Sequence, residues 1–214
     1  MTEQHTTPLS QFIEHPSSRA TPLDVLREAR RRWLRGERIS LNELARSVGI
    51  GRTTLFRWVG TKELLMAEIM WSVYEPTLKR ARQEAIGAGA DYISNVCHYT
   101  MTAVVNSDPL RRFISDDPQF ALQVLTSTRL LQERRLNAMK QLLQEERDKG
   151  TIAPELEIDS LALVIIRLTE SFTYSDLIVG RPPAIGEGCK AIRTLCGGRP
   201  TASPVTDPGH SPMA

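Results

Sequence analysis

The sequence contains few cysteines and no long apolar run, and each absence excludes a class of protein. Its three cysteines, Cys97, Cys189 and Cys196, are widely spaced, so neither a disulfide framework nor a zinc finger is predicted. No segment approaches the roughly 18 consecutive apolar residues that a membrane span needs. The N-terminal residues lack the basic start and apolar stretch of a signal peptide. We therefore expect a cytoplasmic protein with buried thiols, a redox sensor being the alternative for the cysteines.

Recognisable catalytic motifs are absent as well. The chain has no G-x-S-x-G nucleophile elbow, no H-E-x-x-H zinc motif, no phosphate-binding P-loop and no paired acids in a glycine-rich context. His98 has no second metal-binding residue three or four positions away, so we interpret it as a packed or surface histidine. The sequence therefore predicts a protein that is not an enzyme, and neither a cofactor nor a metal ion is expected.

Strand patterns are missing too, whereas helical periodicity is widespread. Apolar residues recur three and four positions apart along most of the chain, and Gly or Pro separates the segments. We predict an all-α fold of about nine helices, with single long helices over 119–149 and 158–179. The predicted organisation is a mobile arm at 1–20, a three-helix helix-turn-helix domain at 21–66, a larger helical domain at 67–197 and a disordered tail at 198–214.

Two helix starts in the N-terminal domain have a specific chemistry. Thr21-Pro22-Leu23-Asp24 combines a hydroxyl N-cap, a proline at the first helical position and an acid at the third. Ser40-Leu41-Asn42-Glu43 matches a capping box, in which each of the two end side chains bonds the other residue's backbone amide. Gly49 then predicts the sharp turn after the second helix.

Positive charge is concentrated at one end of the chain. The formal net charge is +2, yet residues 19–62 carry eleven Lys and Arg against four Asp and Glu, which gives +7 there and leaves −5 for the rest. A basic end joined to an acidic remainder indicates that one end meets a polyanion. Double-stranded DNA is the leading candidate, with an anionic membrane surface second.

Residues 41–58 have the dimensions of a helix-turn-helix unit, a helix, a glycine turn and a second helix in about eighteen positions. The second helix supplies guanidinium, hydroxyl and indole groups that can reach base edges and phosphates, from Arg52, Thr53, Thr54, Arg57 and Trp58. Leu55 is spaced to face the core, so these side chains point outward. The pattern predicts a second helix that lies in the major groove of DNA.

The segment LNELARSVGIGRTTLFRWVGTKELL resembles the DNA-binding motif of the TetR family of bacterial one-component regulators, over roughly residues 21–66. The matching positions are Ala45, Gly49, Thr54, Leu55, Phe56, Gly60, Lys62, Glu63 and Leu65. Two positions depart from the family pattern: Phe56 replaces a tyrosine whose hydroxyl meets a phosphate, and Val59 replaces a core phenylalanine. The resemblance therefore leaves out one phosphate contact but keeps the fold.

This resemblance implies roles for the residues of the motif. Thr54 and Lys62 would bond phosphates, and Lys62 stands at a helix N-terminus, which itself attracts phosphate. Arg52, Thr53 and Arg57 would contact bases or phosphates, and Trp58 would pack on the sugar–phosphate chain. The full set of predicted DNA-binding residues is Ser40, Arg52, Thr53, Thr54, Phe56, Arg57, Trp58 and Lys62.

A homodimer and an effector cavity are also implied by the resemblance. The last two helices, within residues 158–196, would form a four-helix bundle across a two-fold axis, and the middle helices would enclose a small, largely apolar effector. The predicted ligand-binding residues are Trp71, Tyr74, Met101, Phe113, Phe120, Glu170 and Tyr174. The C-terminal half further resembles regulators of quorum-quenching genes that degrade acyl-homoserine lactones or gamma-lactones, which implies a lactone effector.

Several alternatives remain open from the residues alone. The arginines of residues 27–38 form either a solvated helix face or a phosphate-binding surface. Arg167, Glu170 and Tyr174 form either a polar anchor in a pocket or a helix–helix ion pair, and Trp33 is interpreted as plain core. The predicted function is that of a repressor that its effector releases from operator DNA. No membrane partner is expected. The alternative is a helical ligand- or partner-binding protein of the same fold without operator recognition.

Overall fold

The computed structural model describes residues 20–197, and this part of the chain contains eleven α-helices and no strand. The helices are α1 Pro22–Leu34, α2 Leu41–Val48, α3 Arg52–Val59, α4 Lys62–Glu84, α5 Gly89–Val105, α6 Asp108–Asp116, α7 Pro118–Ser127, α8 Arg129–Asp148, α9 Ile158–Thr173, α10 Ser175–Val179 and α11 Ile185–Leu195. The predicted all-α fold is confirmed, and the predicted number of about nine helices is only approximate. The arm predicted at 1–20, apart from Ala20, and the tail predicted at 198–214 lie outside the described residues.

Two breaks that periodicity did not predict account for the two additional helices. The helix predicted over 119–149 is interrupted at Thr128, whose backbone is extended at ψ 112° and whose Oγ1 donates to Glu63 Oε1 at 3.2 Å. The helix predicted over 158–179 is interrupted at Tyr174, with φ −105° and ψ 24°. Both residues are buried, so contacts with other helices determine where these helices break. The local sequence pattern does not contain those contacts.

The two predicted helix starts form, one of them only in part. Thr21 and Asp24 make the full capping box, since Thr21 Oγ1 accepts from Asp24 N at 3.4 Å and the Asp24 carboxylate accepts from Thr21 N at 2.9 Å. Ser40 Oγ accepts from Glu43 N at 3.5 Å, but the return bond predicted for Glu43 is replaced by an ion pair with Arg32 Nη1 at 3.7 Å. The Arg32 guanidinium thus competes with the backbone amide of Ser40 for the Glu43 carboxylate.

Helix α4 connects the N-terminal helices to the rest of the molecule. One cluster of buried apolar side chains joins α1, α2 and α3 to the first half of α4 and to α6, α7 and α8, and a second joins the end of α4 to α5, α8, α9 and α11. With 23 residues, α4 is about 35 Å long and takes part in both clusters. It crosses the predicted boundary between residues 66 and 67 without interruption. We call residues 21–66 the head and the remainder the body.

No helix in the described part of the chain is long and apolar enough to cross a membrane. All three cysteines are buried and free.

Candidate functional site

The turn between α2 and α3 fixes the orientation of α3. Gly49 adopts the left-handed conformation at φ 72°, which other residues adopt only with strain, and Ile50 N closes the turn by donating to Ala45 O at 3.0 Å. Leu55 is the one buried residue of α3 and shares a core with Leu44 and Ala45 of α2. Because Leu55 faces inward, the opposite side of α3 faces solvent.

The outward side of α3 carries most of the predicted DNA-binding residues. Arg52, Thr53 and Arg57 are exposed, and Thr54 is half-buried. The two aromatic residues among them differ in exposure. Phe56 is 43% exposed, whereas Trp58 is half-buried and packs against the core of the head. An indole held in this way presents only part of its surface to a DNA strand.

Charge pairing separates the arginines of α1 from those of α3. On α1, Arg27 lies 3.1 Å from Asp24 and Arg32 lies 2.7 Å from Glu28. Hydrogen bonds from Arg32 and Arg31 hold the pKa of Glu28 below its ordinary value, so these pairs persist at neutral pH. In contrast, neither Arg52 nor Arg57 has an ion-pair partner within residues 20–197. Three of the four arginines of α1 thus share two acids and Arg30 has no ion-pair partner within residues 20–197, whereas α3 carries positive charge with no acid of its own.

Two further predicted DNA-binding residues lie at helix N-termini. Ser40 is the N-cap of α2, and Lys62 is the first residue of α4, where Thr61 Oγ1 caps the helix by accepting from Leu64 N at 3.2 Å. The backbone N–H groups at such ends attract anions. The Lys62 ammonium is already engaged, however, because its Nζ lies 5.3 Å from the centre of the Phe120 ring on α7. Lys62 therefore contacts the body of the molecule.

A cavity of about 110 Å³ lies in the body among α4, α5, α8 and α9. Its wall is mostly apolar, with side chains such as Met70, Leu78, Val96, Leu131 and Ile166. Three of the predicted ligand-binding residues, Tyr74, Met101 and Tyr174, line it. One wall residue, Trp33, comes from α1 of the head.

Arg135 provides the charged group of the cavity wall, and an acid behind the wall compensates it. Arg135 Nη1 lies 2.7 Å from Glu170 Oε1, and the two side chains are only 10% and 6% exposed. Glu170 also accepts from Gln132 Nε2 at 2.7 Å and from Arg167 Nη1 at 2.7 Å. Burial lowers the pKa of Arg135, but its interactions with Tyr74, Tyr174 and Glu170 outweigh that effect and the pKa is raised. The Arg135 guanidinium therefore stays charged, and the Glu170 carboxyl group lies against it.

The two tyrosines of the wall are neutral at physiological pH. Burial raises the pKa of Tyr74, and it raises that of Tyr174 to about 12. The cavity thus offers phenol hydroxyls and apolar surface around a compensated guanidinium.

Four predicted ligand-binding residues lie outside the wall of this cavity. Glu170 lies behind Arg135 and forms ion pairs with Arg135 and Arg167. It is therefore part of a helix–helix ion pair, the second of the two interpretations of Arg167, Glu170 and Tyr174. Trp71 stacks under the Arg134 guanidinium at 5.9 Å, on another side of α4. Phe113 and Phe120 pack edge to face, with ring centres 6.0 Å apart, and line a smaller cleft between the head and α6–α7. The helical spacing of aromatic residues in the sequence does not predict which side of each helix faces the cavity.

A family model described as the C-terminal domain of tetracyclin repressor-like proteins matches residues 88–197, about half of the chain. The chain belongs to the TetR family. Its structure is similar to that of the R. erythropolis transcriptional repressor QsdR from the TetR family, with a TM-score of 0.81 and 24% identity, over 85% of this chain and 97% of that chain. No curated protein matches the sequence significantly.

TetR-family regulators bind operator DNA, form homodimers and bind small-molecule effectors. Family membership makes this chain a DNA-binding transcriptional regulator, a class that is generally not enzymatic. Within this TetR-family fold, two wall residues were missed by sequence reasoning. Trp33 was assigned to plain core because it lies on the apolar stripe of α1, and Arg135 was one of many charged residues in a polar helix. The sequence around Trp33 and Arg135 contains no pattern that predicts a cavity.

Proposed function

We propose that this TetR-family chain is a homodimeric repressor. It binds a roughly palindromic operator through residues 51–58, and it is released when a small, largely apolar effector occupies the body cavity. The observation that supports this proposal best is the uncompensated charge on α3. Arg52 and Arg57 are both exposed and have no ion-pair partner within residues 20–197, whereas Arg27, Arg31 and Arg32 of α1 pair with Asp24 and Glu28. Free guanidinium groups on a helix that follows a glycine turn suit phosphates and guanine edges.

Helix α4 gives the effector a mechanical route to α3. The helix begins at Lys62, three residues after α3 ends, and its later residues Met70, Tyr74 and Leu78 line the cavity. A rigid helix that contacts both places transmits a displacement from one to the other. Occupation of the cavity would therefore change the orientation of the head.

The dimer is proposed to form through α9 and α11, with a second copy of the chain on their outer face. The two helices pack closely, because a Cβ at Gly188 of α11 would lie 2.9 Å from the Phe172 ring of α9. On the outer face of α9, Leu163 is 46% exposed and Val164 is 36% exposed. Adjacent exposed aliphatic residues on a helix favour burial against a partner, and homodimers are usual in this family.

The decisive experiment measures binding of the purified protein to its own upstream DNA across a salt series. We expect the logarithm of the affinity to fall linearly with the logarithm of salt concentration, with a slope of about −0.9 for each phosphate contacted. Arg52→Ala should cost about 1 to 3 kcal/mol and relax sequence preference, whereas Lys62→Ala should weaken all sequences alike. Arg27→Ala is the matched control, because it removes an exposed arginine that is already paired with Asp24.

Absence of DNA affinity, or affinity that salt does not weaken, would contradict the repressor proposal. That result would favour the second candidate, a ligand- or partner-binding protein that keeps the fold without operator recognition. Equal effects of Arg52→Ala and Lys62→Ala on every sequence would contradict the separate roles assigned to these residues.

Mass spectrometry of compounds that copurify with the protein tests the effector part of the proposal. Acyl-homoserine lactones and gamma-lactones are the first candidates to add, because the C-terminal half resembles lactone-responsive regulators. A true effector should release the operator from the wild-type protein. It should not release an Ala103→Leu variant, in which a larger side chain of the cavity wall fills the space. Release from both proteins would place the effector elsewhere.

A further inference from the structure

We propose that the body cavity binds a compact, neutral carbonyl compound, and that the carbonyl oxygen accepts a hydrogen bond from the Tyr174 hydroxyl at the end of α9. The inference rests on the proposed function, since it concerns the same cavity. It adds the chemical class of the effector, the side chain that selects it, and a contact between the effector and the helix assigned to the dimer interface.

The first observation is a buried phenol whose hydroxyl has no hydrogen-bond partner. Tyr174 lines the cavity and is 6% exposed, and within residues 20–197 its hydroxyl forms no hydrogen bond. The hydroxyl oxygen keeps some accessible surface, so a small molecule in the cavity can reach it. Polar groups in protein interiors nearly always have a partner. A buried hydroxyl without one, in a cavity wall, therefore indicates that a bound molecule completes the bond.

The neighbours of this hydroxyl place it at the polar end of the cavity. The Arg135 charge and the Tyr74 phenol both act on the pKa of Tyr174, and both residues line the same cavity, from α8 and α4. The Arg135 guanidinium lies 5.7 Å from the centre of the Tyr74 ring. Because burial raises the pKa of Tyr174 to about 12, its hydroxyl keeps the proton at neutral pH and can donate it.

Most of the other hydroxyls of the wall already have partners. Thr77, Thr100 and Thr169 each donate to a backbone carbonyl of their own helix, at 3.0, 3.1 and 2.7 Å. Ser107 Oγ caps α6 by accepting from Leu110 N at 3.4 Å. The phenol of Tyr74 bonds to Thr100 and Arg135. These groups are satisfied by the protein itself and do not need a ligand.

Thr173 is the exception, because within residues 20–197 its hydroxyl also lacks a partner. It precedes Tyr174 in the chain, so both free hydroxyls lie where α9 ends. A phenol carries its hydroxyl farther from the backbone than a threonine does, and only that of Tyr174 is long enough to lie close to the groups on α4 and α8. We therefore assign the ligand oxygen to Tyr174.

Charge decides what kind of group the ligand presents. The positive charge of Arg135 near the Tyr174 hydroxyl favours a ligand atom with negative partial charge, such as a carbonyl oxygen, over an N–H group. A ligand carboxylate is disfavoured, because Glu170 already occupies the guanidinium at 2.7 Å and would lie against a second carboxyl group. A neutral hydrogen-bond acceptor is left.

The size of the cavity limits the ligand further. Its volume of about 110 Å³ is of the order of the ~150 Å³ apolar cavity that takes up benzene in a well-studied engineered protein. A compact molecule with one ring or a short chain fits such a space, and the apolar wall receives its hydrocarbon part.

The position of Tyr174 gives the contact a regulatory consequence. Tyr174 ends α9, the helix whose outer face is assigned to the dimer interface, and it belongs to the buried cluster that includes Leu55 of the head. The same cavity is lined by Met70 and Leu78 of α4. A ligand held by Tyr174 therefore contacts both the dimer helix and the helix that leads to α3.

Affinity measurements with two probes test the assignment. The probes are acetophenone and α-methylstyrene, which have the same shape and differ only in a carbonyl group against a methylene group. We expect the ratio of the ketone affinity to the alkene affinity to fall about five- to tenfold in Tyr174→Phe, the change expected for one neutral hydrogen bond. Because the Tyr174 hydroxyl makes no bond within residues 20–197, its removal should leave the fold intact.

Two further variants make the comparison specific. Tyr99→Phe is the matched control, because it removes a phenol hydroxyl of α5 that is not part of the described cavity wall, and it should keep the wild-type ratio. Thr173→Val decides between the two free hydroxyls at the end of α9, and we expect it to change the ratio less than twofold.

Carbon-13 NMR of acetophenone labelled at the carbonyl carbon tests the hydrogen bond in the wild-type protein. A hydrogen bond to the oxygen moves this signal downfield. We expect the signal of the bound ketone to lie downfield of its position in cyclohexane, and to move back upfield in Tyr174→Phe.

Four outcomes would overturn the inference. They are no binding of acetophenone to the wild type at millimolar concentration, a bound carbonyl signal at the cyclohexane position, an unchanged affinity ratio in Tyr174→Phe, and an equal fall of the ratio in Thr173→Val or Tyr99→Phe. Operator binding in the salt series is measured without these compounds. A failure of this inference is therefore distinguishable from a failure of the proposed function.

Discussion

Replacement of Glu170 by glutamine tests whether the buried ion pair keeps the cavity neutral. Glu170→Gln preserves the shape of the side chain and one acceptor oxygen, but it leaves the Arg135 charge uncompensated at 10% exposure. Removal of one partner from a buried pair costs about 3 to 5 kcal/mol, and the retained acceptor places this variant near 3 kcal/mol. With a urea m-value of about 2 to 3 kcal/mol per M, the unfolding midpoint should fall by about 1 M.

The assay is urea unfolding followed by circular dichroism at one fixed protein concentration, because dimer stability depends on concentration. Arg167→Gln is the control, since Arg167 binds the same carboxylate but is 54% exposed, and its loss should cost less than about 1 kcal/mol. A double variant with Arg135→Met removes both charges and should recover most of the lost stability. A loss below about 0.5 kcal/mol in Glu170→Gln, or no recovery in the double variant, would refute the reasoning.

The same variant has a consequence for ligand binding. In Glu170→Gln, the Arg135 guanidinium becomes a free cation in the cavity wall, so the variant should bind benzoate, an anion of the same shape as acetophenone. The wild-type protein should bind benzoate more weakly than acetophenone. Calorimetric titration of both proteins with both compounds measures the ratio of the benzoate affinity to the acetophenone affinity. The same ratio in the variant and the wild type would show that Glu170 does not determine the charge of the cavity wall.

Three further predictions concern other parts of the molecule. Phe120→Leu removes the ring that holds Lys62 Nζ, so fluorescence anisotropy should show operator affinity raised about two- to fivefold; lowered affinity would contradict this. Leu163→Glu should convert the dimer to a monomer in analytical ultracentrifugation, whereas Ile86→Glu, at a 79% exposed position, should leave it dimeric. Burial raises the pKa of Cys196 from 9.0 to about 12, so this thiol alone should lower the free energy of unfolding by up to about 1.4 kcal/mol per pH unit as pH rises from 9.0 towards 12. Other buried thiols and phenols with raised pKa add to the fall, so the free energy of unfolding of Cys196→Ala should fall less steeply than that of the wild type.

The head could be predicted from the sequence because its determinants are local. The Thr21–Asp24 capping box, the glycine turn at Gly49 and the inward position of Leu55 each depend on residues within one or two turns of helix. These features form as expected. The Ser40 box is the exception, because Arg32 of another helix takes the Glu43 carboxylate.

The wall of the cavity could not be predicted in the same way, because it is assembled from helices far apart in the chain. Phe113 and Phe120 have the composition expected of a ligand pocket, yet they face the cleft beside the head. Trp33 has the pattern of a core residue, yet it lines the cavity. Only the relative placement of α1, α4 and α8 separates these cases, and hydrophobic periodicity does not contain it.

The placement of the cavity wall also limits how an effector can act on α3. Within the described residues, the wall includes Trp33 of α1 and five residues of α4, but no residue of α2 or α3. Leu55 is fully buried and shares one core with α1 and α4, so α3 cannot shift alone without opening that core. An effector must therefore move α3 by displacing α1 and α4, which carry the head as one packed unit. Under the proposed function, release from the operator would therefore come from reorientation of two intact heads, without melting of α3.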